Sequence, residues 1–306
     1  MAKATIPQIA DIAYAYNQLC PYTQKPIDAQ ALAQYKGVII GFCSADSRNQ
    51  FIENPEGQTH IMELVQKAHT DMQKGLYNPR LRWFGRRIGP GMRDIHKHLL
   101  KENLPALEIT PMDVDDTGKL ALDKFFKNKE IWLEVGFGGG EHLIAQAKAN
   151  THIGFIGCEP YLNGVASLLK AIEEENLSNI RIWADDARAL MDVMPPHSLS
   201  RVFVLFADPW PKRKHNRRRF INQENLDHLA LLMKKNGQLR FASDHIDYIP
   251  WAVGQIMAHP QFEWLANRPQ DWLQMPKDHH ITRYQAKATK QNIPSRFIDT
   301  QLIEAP

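Results

Sequence analysis

Four acidic side chains follow apolar runs in the second half of the chain, and their spacing suggests chemistry. Glu134 and Glu159 lie at the ends of the first two runs, Asp186 follows the third and Asp208 follows the fourth. Continuous apolar runs of this length are typical of the buried strands of a parallel sheet. Since ligands of such sheets bind at the carboxyl ends of the strands, we expect the four carboxylates to face one cleft.

A loop rich in glycine follows the first run and includes Gly136 and Gly138. Glycine adopts positive φ angles without strain and lets the backbone approach a ligand closely. A dinucleotide-binding fingerprint would place its third glycine where this chain has Glu141, whose carboxylate would repel a pyrophosphate. No Gly-Lys-Ser/Thr sequence follows, which excludes a Walker loop. The loop therefore favours a ligand that lacks phosphate and carries positive charge, and S-adenosylmethionine is such a ligand.

The remaining acids occupy positions that suit an adenosine ligand. A carboxylate at Glu159 can accept hydrogen bonds from both ribose hydroxyls, a geometry shared with nicotinamide enzymes. Asp186 can read the adenine amino group, and Asp185 is an alternative one residue earlier. Each acid alone is explained equally well as the N-cap of a following helix. Only the four acids together favour a cofactor site.

A strongly basic segment begins four residues after Asp208. The sequence Asp208-Pro-Trp210-Pro leads into Lys212–Arg219, which contains six cationic residues among eight. A charged run usually forms a solvated surface, but this one adjoins the acid expected in the active site. We therefore expect it to bind the phosphates of a nucleic acid.

The elements that position these residues alternate between strand and helix from residue 129 onward. The predicted strands are Ile131–Val135, Ile153–Glu159, Ile180–Ala184, Val202–Ala207 and Gly237–Ala242. The predicted helices are Glu141–Ala149, Asn163–Glu175, Asn222–Met233 and Ile246–Ala258, followed by a tail. Buried strands that alternate with helices indicate an α/β fold with a mainly parallel sheet, covered on both faces.

Residues 1–78 differ from this pattern and contain no chemical motif. Helices are predicted over Gln8–Gln18 and Gln58–Lys74. Between them lie an apolar patch, Gly37–Phe42, and a polar loop, Ser44–Gly57. This segment is predicted to be an extension of unknown structure.

The composition is that of an ordinary globular protein, with 306 residues and a formal net charge of +3. A uniformly basic nucleic-acid-binding protein would carry a larger charge. The cations are instead clustered, in Arg80–Arg93 and Lys212–Arg219, and local clusters bind phosphates without a large global charge. Four arginines of the first cluster form a candidate second phosphate-binding arm: Arg80, Arg82, Arg86 and Arg87.

Neither a membrane segment nor a metal site is expected. No apolar stretch approaches the roughly 20 residues of a membrane helix, and the N-terminus lacks the apolar core of a signal peptide. The cysteines at positions 20, 43 and 158 are far apart and form no CxxC pair. His279 and His280 have no third ligand at a suitable spacing and are interpreted as loop residues. A reducing cytoplasm is the expected location.

Six short motifs occur in order along roughly residues 80–300: Glu134-Val-Gly136-Phe-Gly138, Cys158-Glu159-Pro160, Asp208-Pro-Trp-Pro-Lys212, His215-Asn216-Arg-Arg-Arg219, Ser243-Asp244 and Thr282-Arg283-Tyr284-Gln285. Together they resemble the bacterial tRNA (guanine-N7)-methyltransferase family. The Asp208–Arg219 block is highly specific, whereas the glycine loop alone is not.

The resemblance implies a Rossmann-like class I methyltransferase domain at residues 128–303. A basic arm and linker at residues 79–127 and the N-terminal extension at residues 1–78 precede it. The implied reaction moves a methyl group from S-adenosylmethionine to N7 of a guanosine in the tRNA variable loop, conventionally position 46. tRNA is then the partner, and neither a membrane nor a metal ion is expected.

Residue roles are carried over from the matching motifs. The implied cofactor-binding residues are Glu134, Gly136, Gly138, Glu159, Asp186 and Asp208, and Asp208 is also the implied catalytic residue. The implied substrate-binding residues are Lys212, Asp244, Thr282, Arg283, Tyr284 and Gln285. The implied RNA-contacting residues are Lys214, His215, Asn216, Arg217, Arg218 and Arg219.

The chain departs from the family pattern at Gln285, where the last motif usually ends in Glu. A neutral amide can form hydrogen bonds but cannot balance a charge, so base selectivity is expected to weaken if this side chain reads guanine N–H groups. Trp210 and Tyr284 are candidates for stacking on the target base, although structural packing explains each equally well. Residues 1–78 have no counterpart in the pattern.

The implied chemistry needs no general base, because N7 of guanine has a free lone pair and no proton. Catalysis would come from placing N7 opposite the methyl–sulfur bond and from electrostatics. We expect Asp208 to stabilise the positive charge that appears on the purine, or to anchor the guanine edge, and to help hold the cofactor ammonium.

Three other functions fit parts of the pattern. The first is a methyltransferase of the same fold with another acceptor, which the basic run beside Asp208 disfavours. The second is a non-catalytic RNA-binding protein, which the four intact acids disfavour. A nicotinamide dehydrogenase is the third, and Glu141 disfavours it.

Overall fold

The computed structural model describes residues 3–6, 15–28, 30–73, 87–89, 91–110, 113–115, 117–127 and 129–303. The chain divides into two units. One comprises residues 1–84 and 110–121, and the other comprises residues 85–109 and 122–306. Of the helices within these described ranges, none is long and apolar enough to cross a lipid bilayer.

The first unit is built on an antiparallel pair of strands, β1 (Leu32–Tyr35) and β2 (Val38–Gly41). The two residues between them have φ angles of 49° and 78°. Positive φ at both central positions is the requirement of a tight hairpin turn whose twist matches that of the strands. Two helices follow, α1 (Ala45–Glu53) and α2 (Thr59–Gln73).

Helix α2 confirms the helix predicted over Gln58–Lys74, whereas the loop predicted over Ser44–Gly57 is wrong because most of it is α1. The hydroxyl of Ser44 caps α1 by accepting a hydrogen bond from the Ser47 N–H, and Phe51 is fully buried. A single buried aromatic residue among polar neighbours gives no helical periodicity, so the sequence pattern did not reveal the helix.

The helix predicted over Gln8–Gln18 lies largely outside the described residues. Its last four positions, residues 15–18, are described and are not helical. The buried core of this unit includes Val38, Ile40, Phe42 and Phe51. The apolar patch of the sequence therefore forms a strand inside this core.

The second unit begins with three short helices: α3 (Asp94–Glu102), α4 (Leu104–Leu107) and α5 (Asp123–Phe126). Its strands are β3 (Glu130–Val135), β4 (Ile153–Cys158), β5 (Ile180–Trp183), β6 (Leu199–Leu205), β7 (Met233–Ser243), β8 (Phe262–Trp264) and β9 (Arg296–Leu302). Its later helices are α6 (Glu141–Ala149), α7 (Leu162–Glu174), α8 (Ala187–Val193), α9 (Gln223–Leu232), α10 (Tyr248–Ala258), α11 (Gln270–Leu273) and α12 (Arg283–Lys290).

The seven strands form one sheet in the order β5-β4-β3-β6-β7-β9-β8. Strands β3 to β7 pair in parallel, and β9 pairs antiparallel with both β7 and β8. The predicted α/β class with a mainly parallel sheet is confirmed. The chain reverses its strand order between β4 and β6, on either side of β3, and such a switch point opens a crevice for a ligand.

From residue 129 onward, strands β8 and β9 and helices α8, α11 and α12 were not predicted. β8 and β9 lie in the segment interpreted as a tail, and β9 mixes buried Phe297 and Ile298 with polar Arg296, Asp299 and Gln301. A strand at the antiparallel side of the sheet tolerates polar residues that a central strand does not. Helix α8 has seven residues, too few for a helical period to stand out.

One face of the sheet packs against helices of this unit. Leu99 of α3, Leu143 of α6, Phe155 of β4 and Leu168 of α7 belong to one buried cluster. Burial of each such side chain contributes about 1.5–3 kcal/mol relative to exposure. This packing holds the carboxyl ends of β3 and β4, where the glycine loop and Glu159 begin.

Candidate active site

The loop between β3 and α6 has the backbone that glycine permits. Gly136, Gly138 and Gly140 have φ angles of 70°, 59° and 86°. A Cβ atom added to Gly136 would meet nothing within 4 Å, whereas one added to Gly138 would lie 2.9 Å from the ring of Tyr284. There is therefore open space beside Gly136, whereas the Tyr284 ring covers the loop at Gly138.

Glu159 is held at the carboxyl end of β4 by two backbone donors. Its Oε2 accepts from the N–H of Gly138 at 2.7 Å, and its Oε1 accepts from the N–H of Tyr161 at 2.9 Å. Burial raises the pKa of the Glu159 carboxyl to about 7, although both hydrogen bonds oppose that shift. The carboxylate is thus fixed in direction and lies against the glycine loop, as a ribose-binding acid would.

Glu134 is buried at the end of β3, and its carboxylate is engaged inside the protein. Nδ1 of His142, on α6, donates to Oε2 of Glu134 at 2.7 Å. The His142 ring packs edge-on against Phe203 with 4.8 Å between ring centroids. The predicted strand-end position of Glu134 is correct, but the sequence did not indicate its histidine partner.

Asp185 and Asp186 differ in their surroundings at the end of β5. The Asp186 carboxylate caps α8 by accepting a hydrogen bond from the backbone N–H of Arg188 at 2.9 Å. It also forms an ion pair with the Arg188 guanidinium. Asp185 lies 3.4 Å from Nη1 of Arg87, and burial raises the pKa of its carboxyl. The helix-cap interpretation therefore accounts for Asp186, and both acids remain candidates for the adenine contact.

Arg87, predicted to belong to a phosphate-binding arm, has a side chain that is 43% exposed and also contacts the protein. Besides Asp185, it donates to the backbone oxygen of Ala184 at 3.3 Å. Its own backbone oxygen accepts from Leu162 N at the start of α7. The remaining arm residues, Arg80, Arg82 and Arg86, lie outside the described part of the chain.

Asp208 lies in a loop after β6 whose backbone is strained at two positions. Phe206 and Trp210 have φ angles of 53° and 43°, and left-handed backbone costs a non-glycine residue about 1–2 kcal/mol. The Asp208 side chain reaches solvent, and the partial burial of its carboxyl raises the pKa. Surrounding contacts must hold this loop, because its backbone is not the one that the isolated segment prefers.

The basic run forms a 3-10 helix, Arg213–Arg218, directly after the Asp208 loop. Lys212, Lys214 and Arg217 are exposed, which agrees with a phosphate-binding surface. The guanidinium of Arg218 lies over the Trp210 ring at 5.0 Å. Some side chains of this run are therefore exposed to solvent, whereas others pack against the Asp208 loop.

Two residues of the predicted RNA-contacting set face inward. Arg219 is 2% exposed, and its guanidinium donates to backbone oxygens of Pro209 and Asp247. This burial disfavours the predicted contact of Arg219 with RNA, which stays a prediction. The amide of Asn216, oriented as a donor, lies 3.1 Å from Trp210 O and 3.3 Å from Lys212 O. His215 packs edge-on against Trp210 with ring centroids 6.0 Å apart.

The last motif begins helix α12 beside the glycine loop. Thr282 caps α12 by accepting from the N–H of Gln285, and Arg283 forms an ion pair with Glu141 at 2.6 Å. Tyr284 covers Gly138 and remains 52% exposed. Burial of part of its ring, together with the charges of Glu159 and Asp208, raises the pKa of Tyr284. Tyr284 is thus an exposed aromatic side chain that lies against the glycine loop.

Gln285 is 6% exposed and is directed away from solvent. Its Oε1 accepts from Nε2 of His279 at 2.8 Å, and its Nε2 lies 3.5 Å from the sulfur of Met275. The amide of Gln285 is therefore engaged inside the protein, and its predicted contact with the substrate stays a prediction.

His279 is a loop residue, as predicted, and it links the Gln285 side chain to the interior. Its ring lies 5.1 Å from that of His142 and 4.9 Å from that of Phe297. Burial lowers the pKa of His279 to about 4. Through their rings, the two histidines connect the buried Glu134 to the start of α12. Only the fold reveals this connection.

The other predicted substrate-binding residues lie on the rim. Lys212 is exposed after the Asp208 loop, and Asp244 is half-buried just beyond the end of β7. Since β6 and β7 are neighbouring parallel strands, the two loops that follow them are adjacent. Both residues are therefore on the same edge of the sheet as Glu159.

The chain was compared with known proteins. Residues 128–296 match the family described as "Putative methyltransferase". A tRNA (guanine-N(7)-)-methyltransferase of Rhodospirillum rubrum is 44% identical over 209 residues, which are 68% of this chain and 82% of that protein. The proteins of the same name from Hyphomonas neptunium and Roseobacter denitrificans are 46% and 44% identical, over 68% and 72% of this chain and 93% and 95% of theirs.

The chain belongs to the tRNA (guanine-N(7)-)-methyltransferase family. The resemblance drawn from the six motifs is confirmed. Among solved structures, it is also similar to an antibiotic-related methyltransferase, with 16% identity, a TM-score of 0.42, and coverage of 59% of this chain and 91% of the other.

The site's residues fit the S-adenosylmethionine used by class I methyltransferases. A cationic ligand is favoured by the carboxylates of Glu159, Asp185 and Asp208 at one edge of the sheet. The open space beside Gly136 lets a ligand approach the backbone, and Glu141 at the start of α6 disfavours a pyrophosphate there. Two backbone N–H groups fix the direction of the Glu159 carboxylate at this edge.

Proposed function

We propose that this protein transfers a methyl group from S-adenosylmethionine to N7 of a guanosine in the variable loop of tRNA, conventionally position 46. The names of its relatives support a tRNA guanine substrate. The observation that carries the proposal is structural: the Asp208 loop joins the acidic edge of the sheet directly to a 3-10 helix with exposed cations. A cytoplasmic location accords with this substrate.

The cofactor-binding residues of the proposal are grouped by element. The glycine loop supplies Gly136 and Gly138, β4 supplies Glu159, and the end of β5 supplies Asp185 or Asp186. Glu134 supports this group through His142 from beneath the loop. S-adenosylmethionine, when bound, supplies an electrophilic methyl group.

The protein's task is to place and stabilise the guanine. N7 has a lone pair and no proton, so no side chain has to act as a general base. Positive charge appears on the purine as the new N–C bond forms, and the Asp208 carboxylate is placed at the site edge to stabilise it. Tyr284 offers an aromatic face over the glycine loop for the flipped base.

The RNA backbone meets the exposed cations beside this pocket. Three cations are exposed to solvent on the 3-10 helix and at the residue before it: Lys212, Lys214 and Arg217. Phosphate contacts fix the position of a nucleic acid without reading its sequence. Choice of the target guanine then depends on which unpaired base reaches Asp208 and Tyr284.

The direct test is methyl transfer from labelled S-adenosylmethionine to unmodified tRNA transcripts, with the product mapped by cleavage at N7-methylguanosine. One modified position in the variable loop is expected. A transcript with adenosine at that position, and one with 7-deazaguanosine there, serve as matched controls and should remain unlabelled. Labelling of either control, or of a protein in place of tRNA, would refute the proposal.

A further inference from the structure

Arg219 stands apart from the other cations of the basic run. It is among the largest fully buried side chains of the protein, whereas Lys214 and Arg217 in the same run are exposed. Burial of a charged group costs free energy unless hydrogen bonds and neighbouring charges or dipoles compensate. Its contacts therefore indicate what the buried charge is used for.

The guanidinium bridges the Asp208 loop and helix α10. Nε donates to the backbone oxygen of Pro209 at 2.7 Å, one residue after Asp208. Nη1 donates to the backbone oxygen of Asp247 at 3.1 Å, where α10 begins. A planar guanidinium can form these two bonds at once because its donors lie in a fixed arrangement.

Two aromatic rings of α10 hold the guanidinium in place. Its central carbon lies 5.1 Å from the ring centroid of Tyr248 and 5.3 Å from that of Trp251. These distances are within the range of cation–π attraction. Both rings are themselves fixed, because the Tyr248 hydroxyl accepts from Ile221 N and the Trp251 ring donates to Ile221 O.

A second contact holds the next part of the same loop. The Asn216 amide nitrogen lies within hydrogen-bond distance of the backbone oxygens of Trp210 and Lys212. Between them, Asn216 and Arg219 therefore bind backbone oxygens at 209, 210 and 212. Trp210, whose backbone is left-handed, lies within this stretch. The side chains of the basic run thus hold the loop that carries Asp208.

We propose that Arg219 is a positioning residue for Asp208, and that it fixes the catalytic loop against α10 instead of contacting tRNA. This inference rests on the proposed function. The basic run then has two roles. Its exposed cations bind the RNA backbone. Its buried last residue, Arg219, sets the position of the Asp208 carboxylate, which faces the guanine.

The test compares three full-length variants with the wild type. Arg219→Lys keeps the charge but cannot donate to both oxygens in the same planar geometry. Arg219→Met keeps the stem between the two rings and removes all donors. Arg217→Met, an exposed arginine two residues earlier, is the control for loss of an RNA contact. Each is assayed for kcat, for KM and Kd of tRNA, and for Kd of S-adenosylhomocysteine.

Both Arg219 variants are expected to lose about 10- to 100-fold in kcat, since a displacement of about 1 Å can cost that much. Their Kd for tRNA should stay within about twofold of the wild type, and their Kd for S-adenosylhomocysteine should change less than kcat, because Asp208 is one of several residues expected to hold the cofactor. Amide hydrogen exchange should rise in the peptide 206–213 and not across the sheet. Arg217→Met should show the opposite pattern, with the larger change in tRNA binding and unaltered exchange in this peptide.

Three results would overturn the positioning role. The first is an unchanged kcat in Arg219→Lys and Arg219→Met. A second is weakened tRNA binding equal to that of Arg217→Met, which would make Arg219 an RNA contact. The third is exchange that rises equally throughout the second unit, which would make Arg219 a general core residue. A wild-type enzyme that methylates no tRNA would refute the proposed function instead, whatever the variants do.

Discussion

At the scale of the residue, the direction and charge of each acid depend on the groups packed around it. Glu159 is the clearest case. An acid after a buried strand was expected, but the two backbone donors and the burial that raises its pKa to about 7 come from the glycine loop and α7 packed around it. Gln285 is the opposite case, since the motif predicted a substrate contact and the side chain is buried against His279.

The raised pKa of Glu159 predicts that cofactor binding depends on pH. An ionised carboxylate accepts hydrogen bonds from ribose hydroxyls and attracts a cationic ligand, and Glu159 loses its charge as the pH falls through about 7. Affinity for S-adenosylmethionine should be constant above that value and weaken below it, by up to about tenfold per pH unit for one proton. Calorimetric titration between pH 5.5 and 8.5 measures this.

The matched variant is Glu159→Gln, which should bind the cofactor weakly at every pH and with little pH dependence. Asp186→Asn serves as the comparison, because it retains Glu159 and should keep the pH dependence of the wild type. A wild-type profile that is flat from pH 5.5 to 8.5 would contradict this role of Glu159.

Asp208→Asn is expected to remove most of kcat while the fold and tRNA affinity are retained. The variant keeps the size of the side chain and loses only the negative charge that would stabilise the cationic purine, an effect of about 10²–10³-fold for groups of this kind. Single-turnover methyl transfer measures the rate, and circular dichroism checks the fold. An asparagine variant of normal rate would rule out the electrostatic role of Asp208.

At the scale of the element, the glycine loop and helix α7 fit together by contact of backbone with backbone. A Cβ atom on Gly164, in α7, would lie 2.2 Å from the backbone oxygen of Gly138 and 3.2 Å from Cγ of Glu159. The sequence motif includes the glycines of the loop but not this one. The need for glycine at position 164 follows from the crossing of α7 over the loop, which is a tertiary contact.

Gly164→Ala should therefore displace the glycine loop and weaken cofactor binding. Overpacking of this kind costs about 1–3 kcal/mol of stability. Gly254→Ala is the matched control, since Gly254 is exposed on α10 and a Cβ there meets nothing within 4 Å. That control should be more stable by about 0.4–1 kcal/mol. Thermal unfolding with and without S-adenosylhomocysteine distinguishes the two.

The prediction for Gly164 is specific to the loop. The ligand-induced rise in Tm should be lost in Gly164→Ala and retained in Gly254→Ala. Equal ligand-induced shifts in the two variants would show that the loop tolerates the added methyl group.

At the scale of the whole molecule, a dense cluster of cations coexists with a small net charge. The formal net charge is only +3, yet the exposed cations of the 212–217 segment lie at the edge of the sheet that also carries the acids. A cationic cofactor and a polyanionic substrate thus meet neighbouring surfaces of opposite sign. This arrangement predicts that salt weakens tRNA binding far more than cofactor binding.

Lys214→Met and Arg217→Met should each reduce the slope of log Kd for tRNA against log salt by about 1, because each removes about one phosphate contact. Lys148→Met is the control, since Lys148 ends α6 and lies in an ion pair with Glu175. Its slope should match that of the wild type. Filter binding between 50 and 300 mM salt, about the range where counterion release is strong, measures the slopes, and equal slopes in all four proteins would remove the phosphate-binding role.

The sequence alone determined the class of fold and the edge of the sheet on which the chemistry lies. Three features are local: the continuous apolar runs, the glycines after the first run and the acids at the ends of the runs. Local features can be recognised from the order of the residues alone. The specific block from Asp208 to Arg219 likewise indicates the family.

The tertiary structure decided which way the side chains face. Arg219 and Gln285 belong to motifs that suggest contact with RNA, yet both are buried, because helix α10 and the His279 segment pack against them. The partners of Glu134, Asp185 and Arg219 are separated from them by between 8 and 98 residues along the chain. Burial and long-range pairing depend on the whole packed chain, so a motif can state that a residue belongs to the site without stating what it touches.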